Sequence, residues 1–359
     1  MTPGRVLMVN PFGIGDVVFT TPLIRAIRHT WPQAHLAFLG NRRTEPLLRH
    51  NPHLNEVVVF EKDEFRQLWC QSPWRCLAQL AAWIGEVRAK RFELAIDLSL
   101  NSRVGLLLWL MGIAQRAGFD YHRRGVFLTY RVPLAGFDDK PVVDYYFDLV
   151  EGLGITAADR RLEVVVPPNL QQWSRDSLTR WGFGAGEVVI GMVPGGGASW
   201  GDQAPLRRWP AEGFAAVAQR LSRLPQARIV LFGDDSDRDL CAVIERQLTG
   251  QVRNLCGQLN LMEFVAMLWS CRVVVCNDGG PLHLAVAVGT KTVSVFGPVD
   301  EQVYGPYPRN GRHRVIAYDP GCRPCYQRFH LPPCPIDREC LRRVTAEQVA
   351  AAAEELLSA

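Results

Sequence analysis

The first residues whose types and spacing could do chemistry form a glycine turn near the start of the chain. Gly13, Gly15 and Asp16 follow an apolar run at residues 5–10 that predicts a strand. The glycines let a ligand approach the backbone, and a following helix presents free N–H groups to an anion. Asp16 is therefore either a helix cap, where aspartate is favoured, or a carboxylate beside a bound ligand.

This turn departs from the dinucleotide-binding fingerprint in two ways. The fingerprint has a third glycine or an alanine where this chain has Val18. It also has an acid after the second strand, where this chain has Gly40, Asn41 and Arg42. The two departures argue against an NAD site.

A second glycine turn follows another predicted strand. Gly195 and Gly196 come directly after the apolar run 188–193 and Pro194, and Arg207 and Arg208 follow shortly afterwards. A glycine turn with paired arginines could hold a diphosphate, because the guanidinium matches phosphate geometry. The same arginines could instead be solvated side chains before a helix.

The third candidate is a helix start formed by Asp278, Gly279, Gly280 and Pro281. Proline is favoured at the first helical position, and the free N–H groups there would face a phosphate. His283 lies on the first turn of this predicted helix. It could contact the same ligand or be a structural histidine.

An acidic turn follows the predicted strand 228–232. It runs from Gly233 through Asp234, Asp235 and Ser236 to Asp237, in a position to receive a ribose. It could equally be a solvated turn, since three acids cannot all be ligands.

Four of the ten cysteines lie close together near the end of the chain. Cys322, Cys325, Cys334 and Cys340 fall within 19 residues and open with a C-x-x-C pair. Such a set could bind a structural zinc or iron ion tetrahedrally. Reduced thiols and redox-linked pairing are the alternatives.

Length and composition limit the class of protein. The chain has 359 residues, 48% hydrophobic and 21% charged, which allows two domains with separate cores. This excludes disordered and collagen-like chains. A net charge of +4 lacks the basic excess of a nucleic-acid binder. No apolar run reaches the roughly 20 residues of a transmembrane helix, residues 104–114 being the nearest, and no signal-peptide pattern is present. A cytoplasmic protein is predicted.

Predicted strands and helices alternate in both halves of the chain. In the first half we predict a helix from Asp16 to Thr30 and strands at 6–9, 35–39, 56–60 and 94–98. In the second half we predict a helix at 211–221 and strands at 188–193, 228–232, 273–276 and 292–296. A capping box at Thr345 and Gln348 starts a final helix. This alternation is typical of parallel sheets covered by helices, so we expect an α/β fold with two Rossmann-like domains facing each other across a cleft.

Taken in order, the motifs resemble glycosyltransferase family 9, the ADP-heptose:lipopolysaccharide heptosyltransferases. They are Gly-x-Gly-Asp, Pro-Gly-Gly with Arg-Arg-Trp-Pro, and Asn-Asp-Gly-Gly-x-x-His followed by Phe-Gly-Pro at 296–298. The resemblance implies a GT-B fold and inverting transfer that requires no cofactor. It aligns Asp16 with a catalytic aspartate, proposed as the base that deprotonates the acceptor hydroxyl on the face opposite the leaving ADP.

The resemblance also implies roles for the remaining candidates. Arg207 stands where many members have a lysine, and Gly279 replaces the usual Ser or Thr, which removes one hydroxyl hydrogen bond. Lys62, Arg66, Arg123 and Arg124 are implied to bind the acceptor, but these basic side chains could equally form a solvated face. The implied donor-binding residues are Gly195, Gly196, Arg207, Arg208, Asp237, Asp278, Gly279, Gly280 and His283. The implied acceptor-binding residues are Gly13, Gly15, Lys62, Arg66, Arg123 and Arg124.

The resemblance further implies how the chain is organised. Residues 1–168 would bind the acceptor, residues 169–344 would bind the donor, and the helix at 345–359 would pack back onto the first domain. The donor would be ADP-heptose and the acceptor a lipid-linked or core oligosaccharide at the inner membrane face, where the protein could be peripheral. Two alternatives stay open. One is a family member that uses another nucleotide sugar or a protein acceptor, as autotransporter heptosyltransferases do. The other is a non-catalytic nucleotide-sugar-binding protein.

Overall fold

A computed structural model describes residues 2–184, 186–197, 201–248 and 252–358, apart from the side chain of Asp202. By their contacts the residues form two units, 1–136 with 143–160 and 137–142 with 161–359. Each unit contains one six-stranded parallel sheet. The main part of the second unit begins at residue 161, and the predicted domain boundary between residues 168 and 169 stays a prediction.

The sheet of the first unit is built around its first strand. The side chains of residues 6–9 are fully buried, as expected for a parallel strand covered on both faces. In order across the sheet the strands run 3-2-1-4-5-6. They are β1 (Arg5–Val9), β2 (His35–Gly40), β3 (Glu56–Val59), β4 (Leu94–Asp97), β5 (Gln115–Tyr121) and β6 (Tyr130–Leu134).

The helix predicted from Asp16 to Thr30 is two helices that meet at Thr20. Pro22 has no N–H to donate to the carbonyl of Val18. The hydroxyl of Thr21 donates to that carbonyl instead, at 2.8 Å. The helices of this unit are α1 (Ile14–Phe19), α2 (Thr21–Thr30), α3 (Glu45–Leu48), α4 (Lys62–Gln71), α5 (Pro73–Ala89), α6 (Ser102–Leu110) and α7 (Val142–Glu151), whose first residue is assigned to the second unit.

The sheet of the second unit repeats the strand order of the first. Its strands are β7 (Val188–Val193), β8 (Ala227–Leu231), β9 (Val252–Asn254), β10 (Val273–Asn277), β11 (Lys291–Phe296) and β12 (His313–Ala317). From β9 to β12 their order across the sheet is again third, second, first, fourth, fifth, sixth. Its helices are α8 (Pro168–Arg180), α9 (Ala211–Leu221), α10 (Arg238–Glu245), α11 (Leu261–Ser270), α12 (Gly280–Ala287), α13 (Glu301–Tyr304), α14 (Glu339–Arg342) and α15 (Ala346–Ser358).

The last helix packs against β10, β11, β12 and α9 of the second unit, and its packing onto the first domain stays a prediction. Its apolar face, including Val349 and Leu356, is buried in the core formed with β10, β11 and α9. On its outer side Glu354 pairs with Arg220 at 2.7 Å. The predicted capping box is confirmed, since the N–H of Thr345 donates to Gln348 at 3.0 Å.

The stretch at 104–114 forms most of α6, which is nine residues long. None of the described helices is both long and apolar enough to cross a lipid bilayer.

Candidate functional site

In each sheet the strand order reverses between the first and fourth strands, and the candidate residues follow the carboxyl ends of several strands, among them these two. Ligands of open α/β sheets bind in the crevice at this point. In the first unit the two strands are β1 and β4, and in the second they are β7 and β10.

The turn after β1 fixes the position of Asp16. Gly13 is the N-cap of α1, and its N–H donates to the Asp16 carboxylate at 3.2 Å. Asp16 is thus the third residue of the helix rather than the N-cap, and its side chain completes a capping box with Gly13. Its carboxylate is half-buried at the N-terminus of α1, which stabilises a negative charge.

Two residues that sequence reasoning missed, Asn10 and Tyr146, surround this turn. Asn10 is fully buried and donates to the backbone carbonyl of Asp16 at 3.2 Å, while it accepts from the N–H of Phe12. Tyr146 on α7 is also buried. Burial and then the charge of Asp16 raise the pKa of Tyr146 well above its usual value, opposed by a hydrogen bond with Asn10. The tyrosine therefore stays protonated beside the Asp16 carboxylate.

A second carboxyl group, Asp97, ends β4 and lies opposite Val9 of β1 in the sheet. It is buried and accepts a hydrogen bond from the N–H of Ser99 at 2.8 Å. Burial raises its pKa from 3.8 to about 6, although the hydrogen bonds with Ser99 oppose the shift. An acid at the end of an apolar strand was the signal available in the sequence.

Replacing Asp97 with asparagine should stabilise the protein above pH 6. Because the folded-state pKa exceeds the unfolded value, ionising Asp97 destabilises the fold as pH rises from about 4 through 6, and the effect is absent below about pH 4. Asparagine keeps an acceptor for Ser99 without the charge. In urea unfolding the variant should be more stable by roughly 3 kcal/mol at pH 8 and about equal to wild type at pH 4. Equal stability at both pH values would contradict this expectation.

The basic residues assigned to the acceptor lie in two places on the first unit. Lys62 and Arg66 are on α4, which follows β3, and Arg123 and Arg124 are in the turn after β5. All four are exposed. Arg124 lies 5.5 Å from the ring centre of Tyr121, a cation–π contact. Both segments follow carboxyl ends of strands, the same edge of the sheet as Asp16, and both expected roles remain compatible with this exposure.

In the second unit, Asn277 joins the two strand ends that form the candidate donor site. It is fully buried at the end of β10. Its side chain donates to the carbonyl of Pro194 at 2.6 Å and accepts from the N–H of Trp209 at 2.9 Å. One amide side chain thus holds together the β7 turn, the β10 turn and the segment that carries both arginines. The sequence motif contained this asparagine, but its role was not predicted.

Gly279 is required by the close approach of these two turns. Its φ is +152°, and a Cβ atom there would lie 2.2 Å from the carbonyl oxygen of Gly196. Any other residue would force the turns apart. This explains why the chain has glycine at a position where the family that it resembles usually has Ser or Thr.

The two arginines are paired with carboxylates, so the prediction that they are solvated is wrong. Arg207 is 8% exposed and forms an ion pair with Asp278, which is 4% exposed. Arg208 pairs with the buried Asp237 at 3.0 Å and donates to the carbonyl of Gly195 at 2.6 Å. A Cβ atom at Gly195 would lie 1.9 Å from Asp237, so this glycine admits the carboxylate.

Asp237 is held inward by these contacts. Burial raises its pKa, opposed by the positive charge of Arg208 and reinforced by the charge of Asp234. Asp237 ends the turn after β8, as predicted, and the alternative of a solvated acid is wrong for this residue.

His283 is a neutral imidazole beside Arg207. It is buried on α12, and burial followed by the charge of Arg207 lowers its pKa to about 3. It can therefore exchange hydrogen bonds at neutral pH but adds no positive charge. The N-terminus of α12 at Gly280, with Pro281 in its first turn, supplies free N–H groups for an anion.

The four clustered cysteines are free thiols around a cavity of about 420 Å³. Burial and then the neighbouring thiols, Cys322 first, raise the pKa of Cys325 to about 11. As placed, the described residues include no group of three or more His, Cys, Asp or Glu side chains able to hold a metal ion. The predicted structural zinc or iron at these four cysteines therefore stays a prediction.

Comparison with known proteins places these features in a family. Lipopolysaccharide heptosyltransferase 3 of Escherichia coli is 25% identical over 303 residues, covering 82% of this chain and 84% of that protein. The crystal structure of a family 9 glycosyl transferase from Veillonella parvula DSM 2008 is 24% identical, with a TM-score of 0.83 over 99% of this chain and 97% of that one. The structure of E. coli ADP-heptose LPS heptosyltransferase II is 23% identical, with a TM-score of 0.77 over 99% and 98%.

The two structural likenesses confirm the predicted α/β fold of GT-B type. The sequence model of glycosyltransferase family 9 (heptosyltransferase) matches residues 81–331, which is 251 of the 359 residues. The match includes β7, β10 and the helix start after β10. This chain therefore belongs to glycosyltransferase family 9, the heptosyltransferases.

Proposed function

We propose that this protein transfers heptose from ADP-heptose to the inner core of lipopolysaccharide with inversion at the anomeric carbon. The observation that carries the proposal is the donor site around Asn277, where two glycine turns, two arginines and the N-terminus of α12 converge. Backbone N–H groups and guanidinium groups suit a diphosphate. Family membership and the E. coli relative named for ADP-heptose support this donor.

Asp16 is proposed as the general base. Its carboxylate takes the proton of the acceptor hydroxyl while that oxygen bonds to the anomeric carbon. The bond from this carbon to the diphosphate breaks on the opposite face, and the electron pair leaves with ADP. The N-terminus of α12 and the arginines Arg207 and Arg208 stabilise the developing negative charge. The transfer uses no cofactor, since the diphosphate is itself the leaving group.

The test is ADP release and product mass from purified protein, ADP-heptose and a heptose-deficient core acceptor. We expect a product heavier by one heptose for each ADP released. Binding of ADP-heptose without turnover across a panel of core acceptors would contradict the transfer and favour a non-catalytic binding protein. Failure to bind ADP-heptose would overturn the proposed donor.

Gly279 favours one alternative within the same family. The glycine removes the hydroxyl that Ser or Thr would offer at the donor site, so another nucleotide sugar, or a protein acceptor, is the second candidate. Competition with UDP- and GDP-sugars distinguishes the donors. If either displaces ADP-heptose at equal concentration, the alternative donor is favoured.

We also propose that the acceptor is lipid-linked and that the protein acts in the cytoplasm, peripherally at the inner membrane face. The names of the relatives support this, because lipopolysaccharide and lipooligosaccharide are membrane-anchored acceptors. Nucleic acid is not proposed as a partner, given the net charge of +4 over 359 residues.

A structural zinc or iron at the cysteine cluster is a further proposal. It is supported by the placement of all four cysteines around one cavity. Binding would require the side chains to move together, because they are not placed as a ligand set. Elemental analysis of protein purified without an affinity tag should find about one metal ion per chain. A metal-free protein with four titratable thiols at these positions would overturn the proposal.

A further inference from the structure

Two consecutive helices of the first unit, α4 and α5, bury few of their side chains. No side chain of α4 is buried, and α5 buries only Cys76 and Val87 among its 17 residues. For comparison, the ten-residue α2 buries six side chains. These two helices, residues 62–89, are called the α4–α5 pair below.

The inner side of the α4–α5 pair is anchored to the unit by aromatic contacts. The ring centres of Phe60 and Trp83 are 4.7 Å apart, and those of Phe60 and Phe65 are 5.1 Å apart. The thiol of Cys76 donates to the carbonyl of Phe65 at 3.3 Å, which joins the two helices. The pair is therefore a packed element whose inner and outer surfaces are distinct.

The outer side of α5 is apolar although it faces solvent. Trp74 is 82% exposed and Leu77 is 46% exposed. Ala78 and Ala81 continue the same face at helical spacing and are also exposed. Residues 76–85 include no charged residue, whereas a solvated helix face normally carries charges. An exposed apolar stripe of this kind indicates an interaction surface.

The outer side of α4 adds cations and a second tryptophan. Lys62, Arg66 and Trp69 follow at i, i+4 and i+7, which places them on one helix face. Trp69 is 52% exposed. Arg75 is next to Trp74 in the sequence. Within the described parts of the chain, the side chains of Lys62, Arg66 and Arg75 make no hydrogen bond or ion pair, so their charges are available to a partner.

The nearby acidic residues leave the surface of the α4–α5 pair with a net positive charge. Glu64 pairs with Arg42 at 3.0 Å, and Asp63 and Glu86 are the two other acids of the α4–α5 pair, against the cations Lys62, Arg66, Arg75 and Arg88. Exposed tryptophans beside unpaired basic side chains match the interface of an anionic bilayer, where indole rings sit at headgroup level and cations meet phosphates. An anionic bilayer therefore suits both the apolar outer side of α5 and the basic outer side of α4.

We infer that the α4–α5 pair docks onto an anionic phospholipid bilayer through Trp69, Trp74 and Leu77. This inference deepens the proposed function, on which it rests in one respect, because a lipid-linked acceptor requires the enzyme to work at a membrane. Docking by this surface brings the first unit, with Asp16, to the membrane that holds the acceptor.

The test is co-sedimentation of the full chain with vesicles of phosphatidylcholine alone or mixed with phosphatidylglycerol. Wild type should bind the anionic vesicles, and the Trp74→Ser/Leu77→Ser variant should bind them about tenfold more weakly, because apolar area inserted into the interface is lost. Arg75→Gln should weaken binding less, and added salt should remove that difference. Val243→Ser, an exposed apolar residue on α10 of the second unit, is the matched control and should bind like wild type.

The inference is overturned if wild type ignores anionic vesicles or if the double variant binds them like wild type. It is also overturned if wild type forms a dimer in sedimentation velocity that the double variant dissolves, since the surface is then an interface between two copies. Both substituted side chains are exposed, and an unchanged circular dichroism melting curve confirms that the variant is folded.

An activity measurement separates this inference from the proposed function. With a lipid-free core oligosaccharide, the double variant should turn over like wild type, whereas with an acceptor embedded in anionic vesicles its rate should fall about as much as its binding. Equal loss with both acceptors would contradict docking. If wild type transfers heptose to neither acceptor, the proposed function fails while the vesicle result still decides the docking surface.

Discussion

Asp16→Asn should lower kcat for heptose transfer by a factor of about 10² to 10⁴, the range expected when a general base is removed. Asparagine has the same shape and can still accept the hydrogen bond from the N–H of Gly13, so α1 should keep its start. It cannot take a proton from the acceptor hydroxyl. The KM for ADP-heptose should change little, because the residues proposed to bind the donor lie in the other unit. Steady-state ADP release at saturating acceptor measures the effect.

Two controls make this expectation sharp. Asp63→Asn changes an exposed carboxylate on α4 that has no role in the proposed chemistry, and it should leave kcat unchanged. The thermal midpoint of Asp16→Asn should stay within a few degrees of wild type. Transfer at a near-normal rate by a folded Asp16→Asn protein would show that Asp16 is not the base.

Arg207→Met should destabilise the second unit by about 3–5 kcal/mol. The substitution leaves the carboxylate of Asp278 buried without its partner, and an uncompensated buried charge is strongly unfavourable. Asp278→Asn should destabilise less, because the amide can still accept from the guanidinium, which keeps some contact with solvent at 8% exposure. Urea unfolding followed by circular dichroism measures both changes.

The double variant Arg207→Met/Asp278→Leu distinguishes the coupling between the two charges from the contribution of each side chain alone. Replacing both charges with apolar groups should recover most of the stability lost in Arg207→Met, while ADP-heptose binding should stay weak. In Arg207→Met the pKa of His283 should also rise, because the nearby positive charge is gone, but burial should keep it below its ordinary value. Additive destabilisation in the double variant would contradict a buried, coupled pair.

Local patterns in the sequence predict the central strands well. The boundaries of β7 and of α9 match their predictions, because each is a continuous apolar run or an amphipathic repeat with clear ends. β5, β6, β9 and β12 were missed. β5 reads Gln-Arg-Ala-Gly-Phe-Asp-Tyr, which mixes polar and apolar residues, and β9 has only three residues. Strands of this kind are defined by their neighbours in the sheet.

The candidate site shows the same division between local and long-range information. The glycine turns and Asp278 were predicted because their motifs are contiguous. The ion pair of Arg207 with Asp278 joins residues 71 positions apart, and Tyr146 reaches the Asp16 turn from α7. Neither contact leaves a pattern among neighbouring residues of the sequence. Arg207 and Asp278 were therefore predicted to contact a ligand, with a solvated side chain as the alternative for Arg207. Asp97 was missed because a single acid after apolar residues is common at strand ends.

The close approach of Gly279 to the carbonyl of Gly196 has an evolutionary consequence. A serine or threonine at position 279 cannot coexist with this path of the 194–197 turn, because its Cβ atom would overlap that oxygen. Relatives with a hydroxyl residue at the equivalent position must therefore run the first turn differently. The two positions are expected to change together across the family, so that substitutions at one are inherited with compensating substitutions near the other, and a single-residue swap between branches should fail where the paired swap succeeds.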